Sequence, residues 1–211
     1  MLVFGCSTNQ ILYLNKKSTL KNQDNRAQIV LAAYQLLAEK GYDSATMKEI
    51  AGVAGVAPGL IHYYFKSKDQ LLQEVLIEAG ERYVKEVERW CNELTKEQLQ
   101  EVTFTEPKQR VTSEPEWFRL RCELFALGLR NSNFHNATSL MLSTGRQCIA
   151  RLVRQIAGEA IANPEAVAAV LLASFDGLAL QKLVDPEFDL DSAYQVLTQM
   201  FMAQLKNRPP A

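Results

Sequence analysis

Residues 46–68 read TMKEIAGVAGVAPGLIHYYFKSK, and this stretch decides the fold of the N-terminal part of the chain. Within it, Met47, Ile50 and Ala51 recur at helical intervals, which predicts a short helix with one apolar face. A glycine-containing turn then separates this helix from a second short one. Two helices joined in this way form a helix-turn-helix, an arrangement that places its second helix in the major groove of DNA.

The ends of the two helices carry recognisable signals. Thr46 followed three residues later by Glu49 fits a capping box, which predicts that the first helix starts there. Gly55 lies in the turn, where the backbone needs a positive φ that glycine adopts at low cost. Pro58 suits the first position of the second helix, because its missing N–H would have had no partner there.

The second helix has two distinct faces. Val56, Leu60 and Ile61 supply its inward face, which leaves polar and aromatic residues on the outside. An outward cluster of imidazole and phenol groups is unusual for a solvated surface and suits contacts with sugar and phosphate. The outward positions are Gly59, His62 and Tyr63, with Tyr64 nearer the edge.

These residues resemble the DNA-binding signature of the TetR family of transcriptional regulators. The resemblance lies in T-x-K-E-I-A-x-x-A-G-V followed by G-x-I-H-Y-Y-F-K-S-K-D-x-L. It begins near Arg26 and continues without a gap to Leu72, which is roughly a quarter of the chain. The stretch FDGLALQKLVDPEFDLDSA, residues 175–193, is also similar to the end of many family members.

The resemblance implies which residues contact DNA. Three positions depart from the common family pattern: Ala57 replaces a capping Ser, Pro58 stands where Lys is frequent, and His62 replaces a frequent Tyr. The helix that starts at Pro58 therefore has a weaker N-cap and one phosphate or base contact fewer. The DNA contacts expected from the family are Thr46, Lys48, Pro58, Gly59, His62, Tyr63, Tyr64 and Lys68.

After the helix-turn-helix and the helix before it, which together form the head of the molecule, the chain keeps a helical period. Strand signals are nearly absent. With the family resemblance, this predicts an all-α fold. A three-helix head is joined by a long helix to a C-terminal helical core for effector binding and dimerisation. The expected domains are a flexible N-terminal extension at 1–20, the DNA-binding domain at 21–66 and the effector-binding and dimerisation domain at 67–211.

The later helices are marked by prolines and capping residues. Ser67 with Gln70 forms another capping box, which opens the long connecting helix. Pro107 and its polar surroundings predict a loop around Thr103–Ser113. Four further helices are expected, from Pro115 to near Asn131, from Asn133 to Ala162, from Pro164 to Val184 and from Asp189 to Lys206.

The resemblance also implies a small-molecule pocket between the head and the dimerisation helices. Each candidate lining residue has an alternative interpretation as plain core, because aromatic residues at helical spacing require burial first. An apolar lining suits a hydrophobic or amphipathic effector, which would release DNA by favouring a conformer that no longer fits the operator. The candidates are Trp117, Phe118, Cys122, Phe125, Phe134, His135, Met141 and Phe175.

The last two helices are apolar around more of their circumference than one core requires. They form either the centre of a monomeric bundle or, as the resemblance favours, an intersubunit four-helix bundle of a homodimer. Two heads about 34–36 Å apart would read successive major grooves of a palindromic operator. The residues expected at this interface are Val167, Val170, Leu171, Leu178, Tyr194, Leu197 and Phe201.

Composition narrows the remaining possibilities. The chain has 211 residues, a net charge of −1, 47% apolar residues and four cysteines without metal-ligand spacing. We expect no cofactor and no metal, and cysteines that are buried rather than redox sensors. No run looks long or apolar enough to span a bilayer, and the N-terminus is a poor signal peptide, so we expect a cytoplasmic protein.

Two other classes of function compete with a DNA-binding regulator. An enzyme is disfavoured, because the chain has two histidines and no Ser-His-Asp, Cys-His or phosphate-loop pattern. A helical protein-interaction module without specific DNA binding remains an alternative, because exposed aromatic residues also anchor protein partners.

Overall fold

The computed structural model describes residues 8–206 of the chain, with side chains described from residue 24 and not at residue 159. Over this range it is helical and contains no strand, as the sequence predicts for an all-α fold. The elements are α1 (Thr8–Lys40), α2 (Met47–Val53), α3 (Pro58–Tyr64), α4 (Lys68–Glu93), α5 (Lys96–Ser113), α6 (Pro115–Arg130), α7 (Ser132–Ala157), a 3-10 turn (Gly158–Ala160), α8 (Pro164–Val184) and α9 (Leu190–Lys206).

The chain divides into two compact units, and the first ends at Val75. This N-terminal unit contains α1, α2, α3 and the first two turns of α4. Gly41 follows α1 with a φ of 80°, the left-handed conformation in which glycine commonly ends a helix. The core of the unit is apolar and nearly inaccessible to solvent, and it consists mainly of Ile29, Ala33, Leu37, Ile50, Ala51, Ile61, Phe65, Leu71 and Leu72.

The described boundaries differ from the predicted domains at two places. Helix α1 already begins at Thr8, so the proposed extension at 1–20 overlaps this helix, and residues 1–7 lie outside the described part. The first unit ends at Val75, nine residues after the predicted limit at 66. The physical reason is burial: Leu71, Leu72 and Val75 are solvent-inaccessible at the start of α4.

The second unit runs from Leu76 and contains the rest of α4 and helices α5 to α9. Its centre is one apolar cluster, to which all of these helices contribute. Aromatic rings pack closely there: the Phe104 centroid lies 6.2 Å from that of Phe175 and 5.3 Å from that of Phe201. Helices α6 and α7 approach closely at Gly128, where an added Cβ would overlap the side chain of Thr138.

Helix α5 corrects the predicted loop at Thr103–Ser113. The helix continues through Pro107 to Ser113, and Pro107 is buried. Its start carries a capping box between Thr95 and Gln98, which the sequence analysis did not use. Burial recurs at helical spacing along this segment, so packing against the core outweighs the hydrogen bond that proline removes. The buried positions are Leu99, Thr103, Phe104, Pro107 and Val111.

Helix α8 corrects the statement that no segment is apolar enough to span a bilayer. By length and composition Pro164–Val184 would be sufficient, although only 28% of its most apolar window is buried in this chain. One side of the helix packs in the core through Ala168, Leu171, Phe175 and Ala179. The other side leaves apolar residues at the surface.

Candidate functional site

The helix-turn-helix starts at the predicted capping box. The Thr46 hydroxyl accepts a hydrogen bond from the Glu49 N–H at 3.2 Å, and the Glu49 carboxylate accepts one from the Thr46 N–H at 3.0 Å. Hydrogen bonds from Thr46 and then from Lys40 lower the pKa of Glu49 to about 2. The carboxylate therefore stays charged at neutral pH and holds the first turn of α2 closed.

The turn between α2 and α3 has the geometry that the sequence predicts. Gly55 has a φ of 67°, where a β-carbon would be strained. The Val56 N–H then donates to the Ala51 carbonyl at 3.0 Å, which closes the turn. Ala51 is fully buried, so its small side chain allows α3 to cross α2 closely.

Helix α3 begins without a side-chain cap, as expected from Ala57. Its first residue is Pro58, and the Ala57 carbonyl accepts a hydrogen bond from the Leu60 N–H at 2.8 Å. Ile61 and Phe65 are buried in the core of the N-terminal unit. These two anchors fix which face of α3 points inward.

The opposite face of α3 is open to solvent. Tyr63 is 73% exposed and His62 is exposed, whereas Tyr64 is half-buried. The Tyr63 and Tyr64 rings meet edge to face with centroids 5.1 Å apart. Gly59 is also exposed, and a Cβ built on it would meet no atom within 4 Å. The predicted aromatic cluster is therefore available for contact with another molecule.

Of the other predicted contacts in the head, Thr46, Lys48 and Pro58 are exposed. The Thr46 hydroxyl is already engaged in the capping box, at 2.8 Å from the Glu49 carboxylate. Lys48 is a basic residue at the solvent-facing start of α2. The head thus exposes this ammonium group as well as the imidazole and phenol of α3.

Lys68 is half-buried at the start of α4, on the helix where the sequence places it. Its ammonium group donates to the main-chain carbonyls of Tyr42 at 2.5 Å and Ala45 at 2.9 Å, and it lies 4.2 Å from the centroid of the Tyr42 ring. The Tyr42 hydroxyl donates in turn to the Asp69 carboxylate. Lys68 therefore ties the α1–α2 loop to the start of α4, which stabilises the head, and its DNA contact stays a prediction.

The eight predicted pocket residues lie in the C-terminal unit and differ in their burial. Phe118 and Phe175 belong to its central apolar cluster, and Trp117 packs against that cluster. His135 is exposed at the start of α7. The others range from half-buried (Cys122, Phe125 and Met141) to buried (Phe134).

A pocket of about 170 Å³ between α4 and α7 has none of these eight residues in its wall. Polar side chains from α7 line one part of it, and two valines of α4 line the other. Its lining consists of Val84, Val87, Thr144, Gln147, Cys148 and Arg151.

A buried ion pair crosses the C-terminal core, and the sequence analysis missed it. The Arg121 guanidinium on α6 donates to both carboxylate oxygens of Asp176 on α8, at 3.0 and 2.8 Å. Arg121 is only 9% exposed, and the Trp117 and Phe125 rings flank its guanidinium. The available signals were Arg121 within the largely apolar stretch 117–125 and Asp176 in the middle of the apolar helix α8.

Most of the predicted interface residues pack against the apolar core of their own chain. Leu171, Tyr194 and Phe201 are buried in the central cluster. Val167, Leu178 and Leu197 are partly buried against the same cluster, so their helical positions face the protomer's own core. Val170 differs from these six, because 64% of it is exposed.

Of the three cysteines in the described residues, Cys148 is buried as predicted, whereas Cys91 and Cys122 are half-buried. Cys91, Cys122 and Cys148 are free thiols, and Cys6 lies outside the described residues. Burial raises the pKa of all three thiols, to about 11 for Cys148. A protonated thiol is a poor nucleophile, which argues against a redox sensor.

Two family profiles match successive parts of the chain. The profile described as "Bacterial regulatory proteins, tetR family" matches residues 29–75, which contain the helix-turn-helix. The profile described as "BetI-type transcriptional repressor, C-terminal" matches residues 107–206, which contain most of the C-terminal unit.

A curated transcriptional regulator also matches part of the chain. The transcriptional regulator UidR of Escherichia coli is 35% identical over 60 residues, which are 28% of this chain and 31% of UidR. The chain thus matches about a third of the length of this curated relative. The match to UidR is confined to a short segment, so it describes that segment and not the whole regulator.

Solved structures extend the similarity over most of the chain. A TetR transcription regulator from Haloarcula marismortui has a TM-score of 0.73 at 22% identity, covering 86% of this chain and 98% of the other. The regulator FadR from Bacillus subtilis, solved in complex with stearoyl-CoA, has a TM-score of 0.67 at 20% identity, covering 84% and 98%. At these identities the likeness concerns the fold. The two profile matches show that the chain belongs to the TetR family of bacterial regulatory proteins.

Proposed function

We propose that the protein is a sequence-specific DNA-binding transcriptional regulator that acts as a repressor. The observation that carries this proposal is the open face of α3, where Tyr63 is 73% exposed and no atom lies within 4 Å of a Cβ built on Gly59. A large exposed ring beside a bare stretch of backbone leaves room for a sugar-phosphate strand to approach. Lys48 adds a positive charge that phosphate contacts would use.

The C-terminal unit is proposed to bind a small hydrophobic or amphipathic effector that releases the protein from its operator. Its large aromatic core, including Phe104, Phe118 and Phe175, supports an apolar ligand. That the FadR regulator of the same fold was solved with stearoyl-CoA supports a ligand-responsive role. An effector releases DNA only if it binds the non-binding conformer more tightly than the binding one.

The protein is further proposed to be a cytoplasmic homodimer that binds a palindromic operator. Exposed small and apolar residues recur on α8 at three- and four-residue spacing, and α9 exposes Val196 and Met200. Covering such a surface with a second copy would remove it from water. The exposed residues on α8 are Ala166, Ala169, Val170, Ala173, Leu180 and Val184.

Selection of genomic DNA fragments by the purified full chain tests the regulator directly. We expect recovery of a site with twofold symmetry, and an affinity for that site that falls steeply as salt rises, because phosphate contacts release counterions. A scrambled duplex of equal length is the control for specificity. Recovery of no duplex, or salt-insensitive binding to a protein partner instead, would favour the interaction-module alternative.

A further inference from the structure

Tyr194 on α9 places a polar hydroxyl group in an apolar core. It is 3% exposed, and its hydroxyl has no hydrogen-bond partner among the described residues. Its ring stacks on Phe175, with centroids 5.9 Å apart and 4° between the planes. A buried hydroxyl without a partner has lost its hydrogen bonds to water and gained none in return, so it favours any ligand atom that restores one.

Two ion pairs lie in the helices around this core, and the Arg121–Asp176 pair is the more buried of the two. Arg121 holds Asp176 through two hydrogen bonds, at 3.0 and 2.8 Å. Arg110 on α5 holds Glu106 at 3.0 Å. An ionic ligand at Tyr194 would compete for the Arg121–Asp176 pair, and separating that pair would leave a buried charge without its partner, which is strongly unfavourable. The core therefore favours a ligand without charge.

The Tyr194 hydroxyl is suited to donate. Burial, followed by the Glu106 and Asp176 carboxylates, raises the pKa of Tyr194, so the phenol keeps its proton. A protonated phenol donates its hydrogen to an uncharged oxygen acceptor, such as a hydroxyl or carbonyl oxygen.

The surroundings of Tyr194 define the rest of the ligand. Phe175 stacks on Tyr194, and Phe104 lies against both Phe175 and Phe201. Such walls accept alkyl or aromatic groups and no further polar ones. Because the rings contact one another, a ligand body enters by separating them.

We propose that the Tyr194 hydroxyl anchors a neutral amphipathic small molecule, an alkyl or aromatic body that carries one hydroxyl or carbonyl oxygen. This inference rests on the effector-responsive regulator proposed above and narrows its ligand class. It assigns α9 a part in ligand recognition in addition to its structural one.

Calorimetric titration of the full chain, without DNA, compares three probes that differ in the head group: octanol, octanoate and octylammonium. Octanol is expected to bind at least about tenfold more tightly than either ion, because the buried Arg121–Asp176 pair does not have to separate. Tyr194→Phe is expected to weaken octanol binding by about five- to tenfold, since it removes one hydrogen bond from a buried site. Tyr83→Phe, a matched change in the same unit, leaves octanol affinity unchanged.

A thermal melt separates anchoring from folding. Tyr194→Phe removes an unsatisfied buried hydroxyl, so the variant is expected to unfold at the same temperature as the wild type or a higher one. Unchanged octanol binding by this variant, tighter binding of octanoate or octylammonium, or no binding of any probe would each overturn the proposal.

Duplex binding, measured separately without any probe, distinguishes this inference from the regulator itself. If the protein binds DNA specifically but octanol does not bind as expected, only the proposed ligand class is rejected. Octanol binding that depends on Tyr194, in a chain that ignores all duplexes, rejects the regulator and leaves the ligand site standing.

Discussion

Gly59 lies at the second position of α3, a short helix that has no side-chain cap. Glycine in a helix costs stability relative to alanine, and no crowding within the protein requires glycine there. The neighbouring Tyr63 ring is largely exposed. The residue therefore makes sense if another molecule approaches the backbone at this point.

Gly59→Ala is expected to leave the free protein as stable as before or to stabilise it by up to about 1 kcal/mol, from helix propensity. Operator affinity should nevertheless fall, because the added methyl group stands where the DNA strand would approach. Chemical denaturation and fluorescence anisotropy measure the two effects. Gly52→Ala on α2, whose added Cβ also meets no atom within 4 Å, is the control for propensity alone. Unchanged operator affinity in Gly59→Ala would place the DNA elsewhere.

Lys48 and Lys68 are both basic residues of the head, but their environments differ. Lys48 is exposed, whereas the Lys68 ammonium donates to the carbonyls of Tyr42 and Ala45. Lys48→Ala is expected to lower the salt slope of DNA binding by about one and to leave stability unchanged. Lys68→Ala is expected to cost about 2 kcal/mol of head stability, since it removes charge-assisted hydrogen bonds. Salt titrations and denaturation curves of both variants check this contrast, which equal stability losses would contradict.

Helix α2 has only seven residues, so its stability depends on its ends. The capping box between Thr46 and Glu49 satisfies backbone groups at the start of the helix. Lys40 at the end of α1 pairs with the same carboxylate at 3.0 Å. One side chain thus joins the end of α1 to the start of the helix-turn-helix.

The Glu49 carboxylate makes this junction pH-dependent. Its pKa is lowered from 4.5 to about 2 by Thr46 and Lys40, so its contribution is complete above about pH 4.5. That contribution should disappear as the pH falls through about 2. Glu49→Gln keeps an acceptor but cannot titrate, so the stability difference between wild type and variant should shrink on acidification. Thermal melts across this pH range measure it, and a constant difference would show that the carboxylate is not held in this way.

At the scale of the whole molecule, helices α8 and α9 carry most of the exposed large apolar side chains described in the C-terminal unit. Val170 is 64% exposed on α8, and Met200 is equally exposed on α9. By contrast, the nearby Tyr194 and Phe201 are buried within the protomer. A second copy would therefore meet the exposed set, and substitutions in the buried set would act on folding instead.

Val170→Glu is expected to convert the proposed dimer to a folded monomer, because it places a charge in the apolar contact. Sedimentation velocity measures the oligomeric state, and circular dichroism verifies the fold. Leu129→Glu changes a residue on α6 that is 87% exposed, and it should leave the dimer intact. A Val170→Glu protein that stays dimeric would move the interface away from this part of α8.

The helices and the helix-turn-helix were predictable from the sequence, because the signals that specify them are local. Thr46 and Glu49 are three residues apart, and Gly55 meets the requirement of a single turn. Pro107 is also a local signal, but it wrongly predicted a loop. The helix around it is stabilised by burial, which depends on residues far away in the sequence.

Long-range packing determined the remaining features. Arg121 and Asp176 are 55 residues apart, and only their meeting in the core identifies a buried ion pair. Helical periodicity indicated that Tyr194 lies on the apolar face of its helix. It did not indicate whether that face packs against the chain's own core or against a partner. Lys68 likewise matched a DNA-contacting position in sequence, while carbonyls of a loop 23 to 26 residues earlier hold its charge. Periodicity specifies which face of a helix is buried, and tertiary contacts specify what lies against it.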